Sequence, residues 1–153
     1  MLLQQDPLKV NHEHFMRLAL EEAKMALEKD EVPVGAVLVC NQQIIARSHN
    51  LCEMLSDVTA HAEMQIITMG ANYLGGKFLE ECQLYVTLEP CPMCAGALYW
   101  SRIGTLIYAA TDEKRGYNTL SKQLLHPKTK VLTGVLELEC SKILSDFFKT
   151  KRG

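Results

Sequence analysis

Four side chains of the sequence combine into a chemical device. His61-Ala62-Glu63 is followed, after residues 64 to 89, by Pro90-Cys91-Pro92-Met93-Cys94. One imidazole and two thiols are three ligands that suit zinc. A catalytic zinc has three protein ligands and leaves its fourth tetrahedral position to water, whereas a structural zinc is closed by four. His61, Cys91 and Cys94 make three, and Glu63 stands two residues from the first of them. Zinc brings the pKa of its bound water down to about 7, and a nearby carboxylate can take the released proton and pass it on. The set reads as a hydrolytic site with one Zn2+ per chain.

Cys91-x-x-Cys94 alone would serve equally as a redox dithiol, half of a structural zinc site or a pair of buried thiols. A redox dithiol has no need of His61 and Glu63. Cys40, Cys52, Cys82 and Cys140 read as small apolar fillers, with Cys52 near enough in sequence to the site to be a spare ligand. His12, His14, His49 and His126 read as surface or hydrogen-bonded residues, and Tyr99, Trp100 and Tyr108 as core. Asn50 has two readings: an amide that meets a base edge, or a turn residue.

The elements that must position these groups follow from periodicity. From Asn11, an N-cap, to about Lys29, apolar Phe15, Leu18, Ala19, Ala23 and Ala26 recur on one side of a helix. Val34 to Cys40 and Ile44 to Ser48 flank the polar Asn41-Gln42 as a β-hairpin. Ala60 to about Asn72 is helical, with His61 and Glu63 in its first turn. Leu84 to Leu88 is a strand, and Cys91 to about Ser101 a helix with both cysteines in its first turn, where the helix dipole favours thiolate. Thr105 to Ala110 and Lys130 to Val135 are further strands, Leu138 to about Lys149 a closing helix, and Thr111 to Thr129 a long, polar, basic connection. The alternation implies a three-layer α-β-α fold around a five-stranded mixed sheet, in one domain over residues 1–153.

Composition fits that picture: 153 residues, 48% apolar and 22% charged, suit one soluble domain. Met1 to Asp6 has neither a basic segment nor a long apolar run, so a cytoplasmic protein with reduced thiols and no membrane partner is expected. A net charge of −2 does not announce a nucleic-acid binder. Basic residues nonetheless gather late, at Lys114-Arg115, Lys122, Lys128, Lys130, Lys149, Lys151 and Arg152, as either a solvated surface or an RNA-facing patch.

The H-x-E and P-C-x-x-C pattern is itself the known signature of zinc nucleobase deaminases, in which the glutamate is not a ligand. With it, the chain resembles the cytidine-deaminase-like superfamily, and more closely the bacterial tRNA-specific adenosine deaminases that make inosine at the wobble position. Glu31 to Val37, Thr59 to Glu63, Leu84 to Ala97, Ser101-Arg102-Ile103, Gly134-Val135-Leu136, Glu139-Cys140 and Asp146-Phe147-Phe148 carry the likeness. The resemblance implies that His61, Cys91 and Cys94 hold zinc, and that Glu63 shuttles a proton while zinc-activated water attacks C6 of an extruded adenine. It implies that Asn50 and Ala62 contact the base, and that Asp112 and Lys114 approach the anticodon stem-loop of an arginine tRNA. It also implies a homodimer whose RNA site draws on both subunits. Val58, Ala109 and Tyr117 stand where the family commonly has proline, glycine and alanine, differences that bear on RNA contacts rather than zinc chemistry. Guanine deaminase, a relative acting on a free base, is the alternative; Gly96-Ala97-Leu98-Tyr99-Trp100 resembles it. A non-catalytic zinc module is a third reading, and it would need a fourth ligand more than Glu63.

Overall fold

The centre of the sheet is built from strands that bury both faces, Gly35–Cys40, Cys82–Leu88 and Thr105–Ala110, with more exposed strands at its two edges. The computed structural model describes residues 7–152, with the side chains of 11–151; Met1 to Asp6 and Gly153 lie outside the described residues. Helix α1 (Pro7–Glu28) leads into the hairpin β1 (Gly35–Cys40) and β2 (Gln43–His49), then α2 (Ala62–Leu74), β3 (Cys82–Leu88), α3 (Pro92–Ser101), β4 (Thr105–Ala110), β5 (Lys130–Thr133) and α4 (Glu137–Arg152). The strand order is β2-β1-β3-β4-β5, antiparallel from β2 to β3 and parallel from β3 to β5. This is the expected mixed five-stranded sheet.

Period-two alternation divides the strands between the two helical layers. Ala36, Leu38, Leu84, Val86, Leu106 and Tyr108 pack with Ala62 and Ile66 of α2 and Ala95 and Leu98 of α3. Val37, Val39, Tyr85, Ile107 and Ala109 pack with Met16, Ala19 and Ala23 of α1 and Cys140 of α4. A fully buried leucine such as Leu38 or Leu84 contributes roughly 2 kcal/mol, so the alternation fixes which face each helix covers. Asn41 and Gln42, both at positive φ (52° and 60°), close the hairpin with the paired left-handed residues that suit a two-residue turn.

Several boundaries differ from expectation. Asn11 is not an N-cap but lies inside α1, because Pro7 starts the helix where a missing N–H costs nothing. The covered face of α1 is centred on Met16, Ala19 and Ala23, with Phe15 and Leu18 at its edge. Strand β5 stops at Thr133 rather than Val135, since Gly134 takes a left-handed backbone (φ 86°) that turns the chain out of the ladder. The 111–129 connection is not uniformly polar: it holds two single 3-10 turns, Tyr117–Thr119 and Lys122–Leu124, and buries Tyr117 and Leu125. Trp100 is not core; it stands 77% exposed on α3.

The closest approach of helix to sheet is at Gly35, where an added Cβ would collide with the Ala19 carbonyl, the Ala23 amide and the Glu22 side chain. Gly35→Ala must therefore push α1 off β1. It should lower unfolding free energy by about 3 kcal/mol, read as a fall in the urea midpoint at unchanged slope.

Candidate metal centre and catalytic site

Two helix starts meet at the carboxyl end of β3. His61 is the N-cap of α2 and Cys91 the N-cap of α3, both with extended backbones (φ −68°, ψ 153° and φ −72°, ψ 169°). Each ligand was expected one position further in, inside the first turn. As caps, their carbonyls accept the first helical bonds, from the amides of Gln65 (3.2 Å) and Ala95 (2.9 Å). A cap residue usually spends its side chain on a backbone N–H; neither His61 nor Cys91 does, so both side chains are free to face each other. Pro92 occupies the first helical position of α3, and Cys94 follows in the same turn.

His61 Nδ1 lies 3.6 Å from Cys91 Sγ and 3.5 Å from Cys94 Sγ. The ring nitrogen that faces the thiols is thus Nδ1. A tetrahedral zinc held at about 2.0 Å by nitrogen and about 2.3 Å by sulfur requires N···S separations of roughly 3.6 Å, so the donor set fits the ion. Its ionisation fits as well. A hydrogen bond from Cys94, with a further contribution from His61, pulls the Cys91 thiol down to about 4. The Cys94 thiol is pushed strongly up by that same hydrogen bond and by burial, and His61 is raised by its bond to Cys91. The bond between the sulfurs thus favours one thiolate beside one thiol. A second would place adjacent thiolates in a partly buried pocket, an arrangement that a divalent cation makes favourable.

Glu63, in the first turn of α2, is 4% exposed, and burial pushes its carboxyl up to about 7, with the Cys91 charge adding to the rise. A carboxyl poised near neutrality can both accept and return a proton. Cys52 stays out of the cluster, its thiol directed at the Val58 carbonyl at 3.9 Å. Among the described residues, the group able to hold a metal is His61, Cys91 and Cys94.

The remaining expected residues are placed as follows. Asn50 is buried just after β2, and its Oδ1 accepts the Ala62 N–H at 2.8 Å. Ala62 is fully buried; its carbonyl accepts Ser48 Oγ at 2.7 Å, so both of its backbone polar groups are engaged within the protein. Asp112 Oδ1 accepts the amides of Lys114 (3.2 Å) and Arg115 (3.0 Å), folding a tight turn that leaves both basic side chains exposed. His49, His12 and His126 are hydrogen-bonded, to Glu22 and Lys29, to Tyr85, and to the Lys128 amide.

Three positioning side chains were missed from sequence. Gln65 Nε2 donates to the carbonyls of His49 (2.7 Å) and Ala60 (3.1 Å), tying the end of β2 to the start of α2. Glu31, 1% exposed, accepts the amides of Glu53 (2.9 Å) and Met54 (2.7 Å). Glu89, 2% exposed, accepts those of Asp112 (3.1 Å) and Asn118 (3.0 Å). The available signal for the two glutamates was a carboxylate just ahead of a proline at the edge of an apolar run, in Glu31-Val32-Pro33 and Leu88-Glu89-Pro90.

Comparison with known proteins agrees with this geometry. The model of the MafB19-like deaminases matches residues 10–152. A tRNA-specific adenosine deaminase of Bacillus subtilis (strain 168) is 48% identical over 145 residues, 92% of this chain and 90% of that protein. A solved structure from work on A-to-I editing by tRNA:A34 deaminases at the wobble position superposes with a TM-score of 0.79 at 47% identity, covering 86% of this chain and 99% of that one. A guanine deaminase from Bacillus subtilis superposes with a TM-score of 0.62 at 40% identity, over 65% of this chain and 64% of that one. With its zinc-type donor set and buried glutamate on the matching fold, the chain belongs to the deaminase family that includes the tRNA-specific adenosine deaminases.

Proposed function

We propose that this chain, as one deaminase domain spanning 1–153, hydrolyses adenosine to inosine at the wobble position of a tRNA anticodon loop. The observation that carries this reading is the three-donor cluster beside a buried carboxyl, in a chain that matches a tRNA-specific adenosine deaminase over nearly its whole length. The guanine deaminase of Bacillus subtilis, at 40% identity over 65% of the chain, matches less of it.

His61, Cys91 and Cys94 would hold the zinc, which when bound supplies Lewis acidity that brings the ionisation of water toward neutral pH. Glu63 accepts the proton that water gives up and delivers it to N1 of the adenine as the C6–O bond forms; it then takes the proton of the new C6 hydroxyl and passes it to the amine as the C6–N bond breaks, so that water and adenosine become inosine and ammonia. Asn50 orients the base. Because the Ala62 N–H requires an oxygen opposite it, the Asn50 amide NH2 is the group left to donate to a ring nitrogen. Asp112 and Lys114 approach the anticodon loop, where a wobble base in a single-stranded loop is cheaper to extrude than one in a duplex. Lys122, later in the same connection, would meet the phosphates of an arginine tRNA stem-loop, whereas Lys128 and Lys130 stand at the opposite, amino end of β4, where Lys130 pairs with Thr105.

The reading includes a homodimer. Ile67, Phe78, Ala97, Tyr99 and Trp100 line a largely apolar groove of about 650 Å3 on the outer side of α2 and α3. An exposed patch of this kind suits a second copy of the chain. No helix among the described residues is long and apolar enough to cross a membrane, and the cytoplasm is the proposed compartment.

Three measurements test these statements. With an arginine tRNA anticodon stem-loop, free adenosine and free guanine supplied in parallel, ammonia should be released from the stem-loop; release from guanine alone overturns the substrate assignment. Glu63→Ala should lose at least about 10²–10⁴-fold in kcat while metal analysis still finds about one zinc per chain, and full activity would remove Glu63 from the mechanism. Chelation should abolish turnover and lower Tm by about 5 °C or more, since a domain of this size shifts by roughly 2–4 °C per kcal/mol; an active metal-free enzyme would contradict the site.

A further inference from the structure

The 112–118 loop hangs from one carboxylate. Glu89 is placed between the end of β3 and Cys91, and is 2% exposed. Its Oε1 accepts the Asp112 N–H at 3.1 Å and its Oε2 accepts the Asn118 N–H at 3.0 Å, so it holds both ends of the loop. The neighbouring Pro90 carbonyl takes the Tyr117 N–H at 2.9 Å, and the Glu89 amide itself donates to Ala110 at 2.8 Å. Gly116 closes over the carboxylate so tightly that an added Cβ would collide with Glu89 and with the Asp112 carbonyl. Between the two anchored ends, the Lys114 and Arg115 side chains project into solvent.

Burying a carboxylate against no cation is costly, and it is tolerated where several N–H donors meet its oxygens. Here the donors come from a segment 23 to 29 residues further along the chain. That segment has no regular secondary structure beyond the single turn Tyr117–Thr119, so its course is set by these bonds rather than by a helix or strand. The loop follows β4, at the same carboxyl edge of the parallel strands where the His61, Cys91 and Cys94 cluster sits, the edge at which open α/β sheets receive ligands.

We propose that Glu89 is a positioning residue: its carboxylate seats the 112–118 loop as the fixed wall of the site against which the RNA substrate docks. This rests on the tRNA reading above. Glu89 touches neither the metal ligands' donor atoms nor the reacting base; it acts through the backbone of Asp112 and Asn118, and so presents Asp112 and Lys114 at a set distance from Cys91. An amide in its place offers one oxygen and turns an NH2 toward a second N–H, which leaves one loop donor without a partner.

Glu89→Gln is the direct test, with Gly116→Ala as an independent variant that disturbs the same seat from the loop side. In Glu89→Gln, trypsin should cut after Lys114 or Arg115 about tenfold faster than in the wild type. KM for the anticodon stem-loop should rise about tenfold, kcat should stay within about threefold, and zinc content should remain at the wild-type value. Gly116→Ala should do the same, and the KM effect of the double variant should fall well short of the product of the two, because both remove one seat. An unchanged cutting rate, a fall in kcat at unchanged KM, or fully multiplicative KM effects would overturn the assignment. If the wild type itself fails to turn over the stem-loop, the function reading falls instead, and the cutting rates of the two variants still decide whether Glu89 holds the loop.

Discussion

Two sulfurs and one imidazole nitrogen, drawn from two helix starts, share a space suited to a single cation. His61 Nδ1 stands about equally far from both thiols, at 3.6 and 3.5 Å. The hydrogen bond between the thiols is the largest influence pulling Cys91 down, with His61 adding to it, and the same bond pushes Cys94 up. Such a pair is a high-energy arrangement if both sulfurs are charged and a favourable one around zinc. The fold is organised to impose this proximity: β3 ends at Leu88, Pro90 and Pro92 turn the chain sharply into α3, and Gln65 ties the start of α2 to the end of β2.

Around the cluster the protein uses buried carboxylates for two different purposes. Burial pushes Glu63 toward neutrality, outweighing the hydrogen bonds from its own backbone N–H and the Cys94 thiol, so that a proton can be taken and returned. Glu31 and Glu89 are as deeply buried, yet each faces two backbone N–H groups and holds an irregular segment in place, residues 53–54 on one side and 112–118 on the other. The difference is the donor supply. The same side chain becomes a proton carrier or a clamp according to whether hydrogen bonds satisfy its charge.

Much of the fold was legible from local pattern. Strands such as β4 are buried on both faces, so they appear as continuous apolar runs, and Thr105 to Ala110 was placed without error. The hairpin itself followed from the polar Asn41-Gln42 between Val34 to Cys40 and Ile44 to Ser48. Trp100 was misplaced because periodicity marks an apolar residue as interior without knowing whether its side of α3 meets the sheet or solvent. The 111–129 connection was read as simply polar because its order comes from Glu89, Pro90 and Tyr108, more than seven residues away in every case; composition carries no trace of such bonds.

The sequence by itself determined the chemistry, because a metal's ligand types and the carboxylate beside them are properties of residue identity: His61, Glu63, Cys91 and Cys94 announce a zinc-type site wherever the chain places them. Tertiary structure alone decided that His61 and Cys91 are helix caps with free side chains, that Nδ1 is the nitrogen facing the thiols, and that Asn50 presents its NH2 because its oxygen is held by Ala62. It also decided that Glu31 and Glu89 are clamps. The caps rest on bonds only four residues long, but the other relations join residues far apart in the chain and exist only once the sheet has brought the ends of β1, β2, β3 and β4 to one edge.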